Sequence, residues 1–293
     1  MKENKASRTA QYMALFRAIE TARPKRQRLF SDPYAIHFLD RGLQRVARIS
    51  SWLVIGGLIL KIIQARGAGA LSSGIARTKY IDDLLEQTIR EGVRRVIILG
   101  AGFDTRALRL GFLKDISVIE IDHPDTAQFK IEKLIASTGQ LPHNVEYFQL
   151  DFNKEALDDL ARQHGLTFDS QTTIIWEGVT NYLTEEAIDK TLEFVSKFSK
   201  GSFLIFTYID KSVLDKPESF EGTEKLFKRL KESEEQWTFG FNPTELSNYL
   251  HDFNLTLLED CGAADFRKKY MPERRNLLKG YEFYRVAFAK RTE

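Results

Sequence analysis

The chain has 293 residues, enough to bury one full α/β core or two small ones, and its composition is ordinary for a globular protein at 43% apolar and 29% charged. Lys+Arg 43 against Asp+Glu 41 leaves a net charge of +2, which gives no argument for a polyanionic partner, so no nucleic acid is expected. Cys261 is the single cysteine, which excludes an intrachain disulfide and a cysteine-cluster zinc site, and no metal is expected.

The chain opens polar and charged, without the apolar core of a signal segment, which makes the cytoplasm the expected compartment. Residues 5–22 carry an imperfect helical stripe of Ala10, Met13, Ala14, Phe16, Ala18 and Ile19. Arg23-Pro24-Lys25-Arg26-Gln27-Arg28 reads as a solvated basic turn; the alternative is an arm bordering an anionic substrate. Ser31-Asp32-Pro33 places a capping residue ahead of proline, and helices are predicted at about 33–39 and 43–64. The second contains the uncharged run from Trp52 to Leu60, far short of the roughly 20 residues a spanning helix needs. No stable membrane insertion is expected, and a buried or lid helix is preferred to an interfacial one. After the break Gly67-Ala68-Gly69-Ala70, the spacing of Ile75, Tyr80, Ile81, Leu84, Leu85 and Ile89 predicts a helix from Ser72 to Glu91. Arg77 falls in its first turns, either as a surface arginine or as a planar fork for a ligand carboxylate.

Strand and helix then alternate. Strands are predicted at 94–99, 116–122, 145–150, 172–176 and 202–208, with helices at 124–137, about 153–163 and 184–199 between them. This rhythm specifies a parallel, right-handed α/β sheet. The first strand, Val96-Ile97-Ile98-Leu99, is apolar on both faces and runs into Gly100-Ala101-Gly102, where the missing side chains let backbone approach a ligand, and then into a helical segment. Ligand sites of such sheets lie beyond the carboxyl ends of the strands. A dinucleotide fingerprint wants a small helix-packing residue where Thr105 stands, and Asp104 before it disfavours pyrophosphate while suiting a cationic ligand such as S-adenosylmethionine. Residues 209–240 are charged and poorly periodic, an insertion over the carboxyl edge with a helical piece near 220–235. A helix from 243 to about 251 and strands at 255–259 and 281–289 follow, the last two read as a terminal antiparallel hairpin.

Strands 2, 3 and 4 each end in an acid: Asp122, Asp151 and Glu177. Asp122 lies about 20 residues beyond the glycine loop, the spacing that suits ribose hydroxyls. Asp151 can accept from an adenine amino group, Phe152 offers the ring an apolar face, and Glu177 with Arg77 can meet the ammonium and carboxylate of an amino-acid tail. Each acid singly serves equally well as an N-cap; together they describe adenosine joined to a zwitterion.

Three ordered motifs, Gly100-Ala101-Gly102-Phe103-Asp104-Thr105, Glu120-Ile121-Asp122-His123-Pro124 and Glu177-Gly178-Val179-Thr180-Asn181-Tyr182-Leu183-Thr184, resemble the leucine carboxyl methyltransferase family, as do Asp32-Pro33-Tyr34 and Ile75-Ala76-Arg77. The similarity spans most of residues 30–200. It implies S-adenosyl-L-methionine as cofactor and a Rossmann-like seven-stranded methyltransferase sheet under an amino-terminal helical cover. The corresponding division is a cover over 1–92 and a cofactor domain over 93–293. The resemblance also implies that Arg77 binds the methionine carboxylate, that Gly100, Ala101 and Gly102 lie along the methionine part, and that Asp122 holds the ribose. Asp151 and Phe152 would flank the adenine with His123 bordering it, and Glu177 would lie near the amino group.

Methyl transfer from a sulfonium is an in-line displacement, so the protein must orient the acceptor and exclude water. The expected acceptor is a carboxylate or hydroxyl of a small, largely apolar molecule. A carboxylate needs no base, a hydroxyl does, and no convincing base is legible. Tyr182 and Asn181, after Glu177, and Tyr208, ending strand 5, are the candidate acceptor-side contacts. Competing readings are a protein carboxyl terminus as acceptor, a non-catalytic adenosyl-ligand binder, and a nicotinamide oxidoreductase, which would leave Glu177 and Arg77 without a task.

Overall fold

The computed structural model describes residues 8–50, 69–152, 154–221, 223, 226–228, 230, 236–272 and 279–292. The apolar run 52–63 and most of the helical piece expected near 220–235 lie outside the described residues.

Seven strands form one sheet: β1 Arg95–Leu99, β2 Ser117–Asp122, β3 Val145–Gln149, β4 Thr172–Trp176, β5 Phe203–Ile209, β6 Leu255–Gly262 and β7 Tyr284–Arg291. Their order is β3-β2-β1-β4-β5-β7-β6. The first five run parallel and β7 lies antiparallel between β5 and β6, so the mostly parallel sheet carries the expected antiparallel pair at one edge. That pair is not a tight hairpin, because the helix Ala263–Tyr270, which periodicity did not announce, intervenes.

The order reverses between β1 and β4, which places Gly100 after β1 and Glu177 after β4 on either side of the crevice where such sheets bind ligands. Every residue of β4 and β5 is buried, as the apolar runs require of strands covered on both faces. On one face Ile97, Leu99, Ile174, Trp176, Leu204 and Phe206 pack against the helices Leu157–Gln163, Glu185–Ser196 and Leu246–His251. On the other, Val96, Ile98, Ile175 and Ile205 meet Tyr80, Ile81, Leu84 and Leu85. Those four belong to α3, which spans Ala70–Arg90, following α1 at Arg8–Ala22 and α2 at Arg41–Ile49.

A third apolar cluster joins α1, α2 and the 3-10 turn Ala35–Phe38 to Phe103, whose ring stacks on Phe38 at 4.9 Å. Through it, α1 lies over the glycine loop: a methyl placed on Gly102 would touch Ala10 Cβ at 3.5 Å. Beyond the loop the chain makes only a four-residue helix, Arg106–Arg109, and then a 3-10 turn at Gly111–Leu113, much less than a full crossover helix.

Candidate active site

Gly100 and Gly102 hold φ of +63° and +50°, the left-handed region that side chains disfavour. Gly100 is also sterically required, since an added Cβ would stand 2.4 Å from Val179 Cγ2 of the loop after β4. The two loops bordering the crevice are therefore in contact.

Asp122 ends β2 beside this loop. One carboxylate oxygen accepts from the Gly102 amide and the other from the His123 amide at 2.6 Å. Burial raises the Asp122 pKa, and the two amides only partly offset the rise. His123 caps the helix Pro124–Thr138, its Nδ1 accepting from Asp125 N at 3.3 Å. Its Nε2 lies 3.9 Å from Asp151 Oδ2. Leu150 N donates to Asp122 O at 2.9 Å, which carries Asp151 alongside Asp122, and Phe152 is half-buried against the core next to it. Asp151 also pairs with Lys154 at 3.0 Å.

Across the crevice, Arg77 Nε donates to Glu177 Oε1 at 3.0 Å. Arg77 belongs to α3 and Glu177 follows β4, so helix packing on the sheet brings together residues a hundred positions apart. Arg77 Nη2 contacts Met13 Sδ of α1 at 3.3 Å, and the guanidinium lies 4.5 Å from the centroid of Tyr284. The other oxygen of Glu177 accepts from Arg106 Nη2 at 2.8 Å. Burial pushes the Glu177 carboxyl up, but Arg106 and Arg77 outweigh it and hold its pKa below the ordinary carboxylate range.

Arg106 extends the pairing into a buried lattice. It contacts Asp104, and its Nε donates to Asp82 at 2.9 Å, where Arg109 also bonds at 2.7 and 2.8 Å. Asp104 is largely screened from water; Arg106 and Lys130 more than offset the desolvation and bring its pKa down to about 2. Farther on, Asp32 accepts from Arg17 Nε at 2.8 Å and from the Thr105 hydroxyl at 2.6 Å, and Arg17 Nη2 donates to Phe103 O. The lattice thus binds α1 and the 31–33 cap to the glycine loop. Ion pairs of this kind, removed from water, persist only where each charge is compensated.

The acceptor-side candidates part company. Tyr182 is half-buried with its hydroxyl 3.4 Å from Thr9 of α1. Asn181 is buried, its carbonyl accepts from Thr238 N at 2.8 Å, and its Oδ1 has no hydrogen-bond partner among the described residues. Tyr208 lies apart from these two. Its hydroxyl donates to Asp260 at 2.7 Å and accepts from Arg285 at 3.0 Å, so it fastens β5 to β6 and β7 within the core. Burial and the Asp260 carboxylate keep that phenol protonated. Alternation along a strand end does not reveal which face carries an acceptor, and here Tyr208 shares the face of Phe206 and Phe241.

Sequence reasoning singled out neither Arg106 nor Tyr284. The signal for Arg106 was local, an arginine two residues after an acid at a loop that folds inward. For Tyr284 no local signal exists, because its approach to Arg77 depends on β7 slipping in beside β5.

Comparison with known proteins bears on this geometry. The sequence model described as leucine carboxyl methyltransferase matches residues 10–196. The Bacillus subtilis protein YktD, named as a candidate S-adenosyl-L-methionine-dependent methyltransferase, is 27% identical over 210 residues, covering 71% of this chain and 69% of its own. A Frankia alni protein of the same description is 33% identical over 237 residues, covering 78% and 80%. Among solved structures, a DUF574 family protein from Streptomyces avermitilis superposes with a TM-score of 0.63 at 9% identity over 99% of each chain. A candidate methyltransferase from Thermobifida fusca does so with a TM-score of 0.58 at 15% identity over 94% and 97%. At these identities the structural likeness concerns the fold.

Proposed function

Because the chain belongs to the leucine carboxyl methyltransferase family, and is thereby an S-adenosylmethionine-dependent methyltransferase, we propose that it methylates a carboxylate or hydroxyl oxygen of a small, largely apolar molecule, with the cofactor seated between the β1 and β4 loops. The observation that carries this reading is the meeting of Arg77 and Glu177 at 3.0 Å across the crevice from Asp122.

The residues present suit the cofactor. Arg77 Nη1 has no hydrogen-bond partner among the described residues, although the side chain is 7% exposed, so a donor is available for a carboxylate. Glu177 is held ionised and offers its charge to an ammonium. Asp122 accepts two amide hydrogens but a carboxylate has about four acceptor positions, which leaves room for ribose hydroxyls. Asp151 and Phe152, with His123 at their side, would receive the adenine, and Gly100, Ala101 and Gly102 would let the backbone approach the methionine portion.

Bound there, S-adenosylmethionine supplies a methyl group on a sulfonium, open to in-line attack. The chain's own part is to hold that ligand's ends, to orient the acceptor, and to keep water out, the last served by α1 through Ala10, Met13 and Arg17. Asn181 and Tyr182 stand next in sequence to the Glu177 loop and supply the polar contacts on the acceptor side. A carboxylate acceptor reaches this site already ionised, and no proton transfer is needed.

The test is transfer of labelled methyl from S-adenosylmethionine into small-molecule extracts by the purified protein, followed by alkali. A base-labile product that releases methanol identifies an ester, and a base-stable one an ether. Label confined to protein, or absent altogether, counts against the proposal.

A further inference from the structure

The family match ends at residue 196, yet the guanidinium at the centre of the site rests on the last strand. Arg77 Cζ stands 4.5 Å over the ring of Tyr284, which is 6% exposed and opens β7 opposite Ile209 at the carboxyl end of β5. The tyrosine hydroxyl lies 3.4 Å from Thr207 Oγ1, and that same oxygen accepts from Gly178 N at 2.7 Å, the residue after Glu177. One side chain therefore touches the cation through its face and supports the loop of the carboxylate through its edge.

We propose that Tyr284 is a positioning residue for the amino-acid end of the cofactor, its ring fixing the Arg77 guanidinium and its hydroxyl steadying the Glu177 loop. The inference rests on the reading of Arg77 and Glu177 given above. A long arginine side chain carries considerable rotamer entropy, and a contact that immobilises it helps binding only if it leaves donors available. An aromatic platform does so, because the attraction acts on the face of the planar cation while its nitrogens point outward in the plane. Nε is committed to Glu177 and Nη2 to Met13, and the stack leaves Nη1 for a ligand carboxylate. Thr207 serves as the link on the other side, its carbonyl accepting from the Thr180 hydroxyl at 2.7 Å, so that the whole 178–180 turn is pinned to β5.

The proposal is tested on the full chain by calorimetric titration with S-adenosylhomocysteine and with 5′-methylthioadenosine, which lacks the amino-acid end. Tyr284→Leu is expected to weaken S-adenosylhomocysteine by about tenfold, the scale of a desolvated cation–aromatic contact, while methylthioadenosine binds as to wild type. Tyr284→Phe, which keeps the ring, is expected to retain most of the affinity. If Tyr284→Leu leaves both ligands unchanged, or weakens them by the same factor, the positioning role is wrong although the cofactor reading stands. If the wild-type protein binds neither ligand, the cofactor reading falls and this inference with it.

Discussion

Arg106 Nη2 donates to Glu177 Oε2 at 2.8 Å, so the acid expected to meet the cofactor's ammonium is itself held from behind by a buried arginine. Arg106 also compensates Asp104 and Asp82, and its side chain is 3% exposed. Replacing it with methionine removes the ion-pair partner of Asp104 and one of the two arginines on each of Asp82 and Glu177, and a loss of about 3–5 kcal/mol is expected in urea unfolding. Arg106→Lys is expected to rescue little of this, because one ammonium lacks the planar fork that serves three carboxylates at once.

Asp122→Asn tests the ribose end. The amide oxygen can keep one of the two backbone donors, Gly102 N or His123 N, but loses the charge and presents an NH2 group to the other. A loss of about 1–3 kcal/mol in stability is expected, with S-adenosylhomocysteine binding weakened at least about tenfold in calorimetry.

The glycines of the loop separate steric from conformational cost. Gly100→Ala meets both φ of +63° and Val179 at 2.4 Å, whereas Gly102→Ala at φ +50° meets only an ordinary contact with Ala10 at 3.5 Å. Gly100→Ala is expected to cost about 1–3 kcal/mol and more than Gly102→Ala. Adding Val179→Ala should recover part of the loss, since it removes the clash and leaves the φ strain. Denaturant unfolding of the three variants reads the order directly.

Acid stability follows from Asp104, whose pKa falls from an ordinary 3.8 to about 2 in the fold. A carboxylate with a depressed folded pKa contributes stability above its unfolded value and loses it as the pH drops through the folded one. Unfolding free energy is therefore expected to decline between pH 3.8 and about 2 by on the order of 2 kcal/mol from this group, with Glu177, also lowered, adding to the slope. Asp104→Asn should be less stable than wild type at neutral pH and show a shallower decline in that interval.

Much of the fold was legible because the central parallel strands are buried on both faces, and unbroken runs such as Val96 to Leu99 and Thr172 to Trp176 announce themselves. The glycine loop, the acids ending the strands and the early arginine of α3 were legible as one group, but the second guanidinium on Glu177, that of Arg106, was not. What failed to show was whatever depends on long-range order. Tyr208 ends a strand at the expected edge, but its direction is set by Asp260 and Arg285 on strands that pair only in three dimensions. Tyr284 reaches Arg77 for the same reason, and the helix Ala263–Tyr270 carries too few apolar residues over too short a span for its period to be read.

If Arg77 and Glu177, with Asp122 opposite, enclose a charged adenosyl amino acid, the acid at residue 177 must count in binding. The decisive experiment is calorimetric titration of S-adenosylhomocysteine into wild-type and Glu177→Gln protein. One-to-one binding is expected, weakened at least about tenfold in the variant. Absence of binding to the wild-type protein at millimolar ligand, or equal affinity in both proteins, would contradict it.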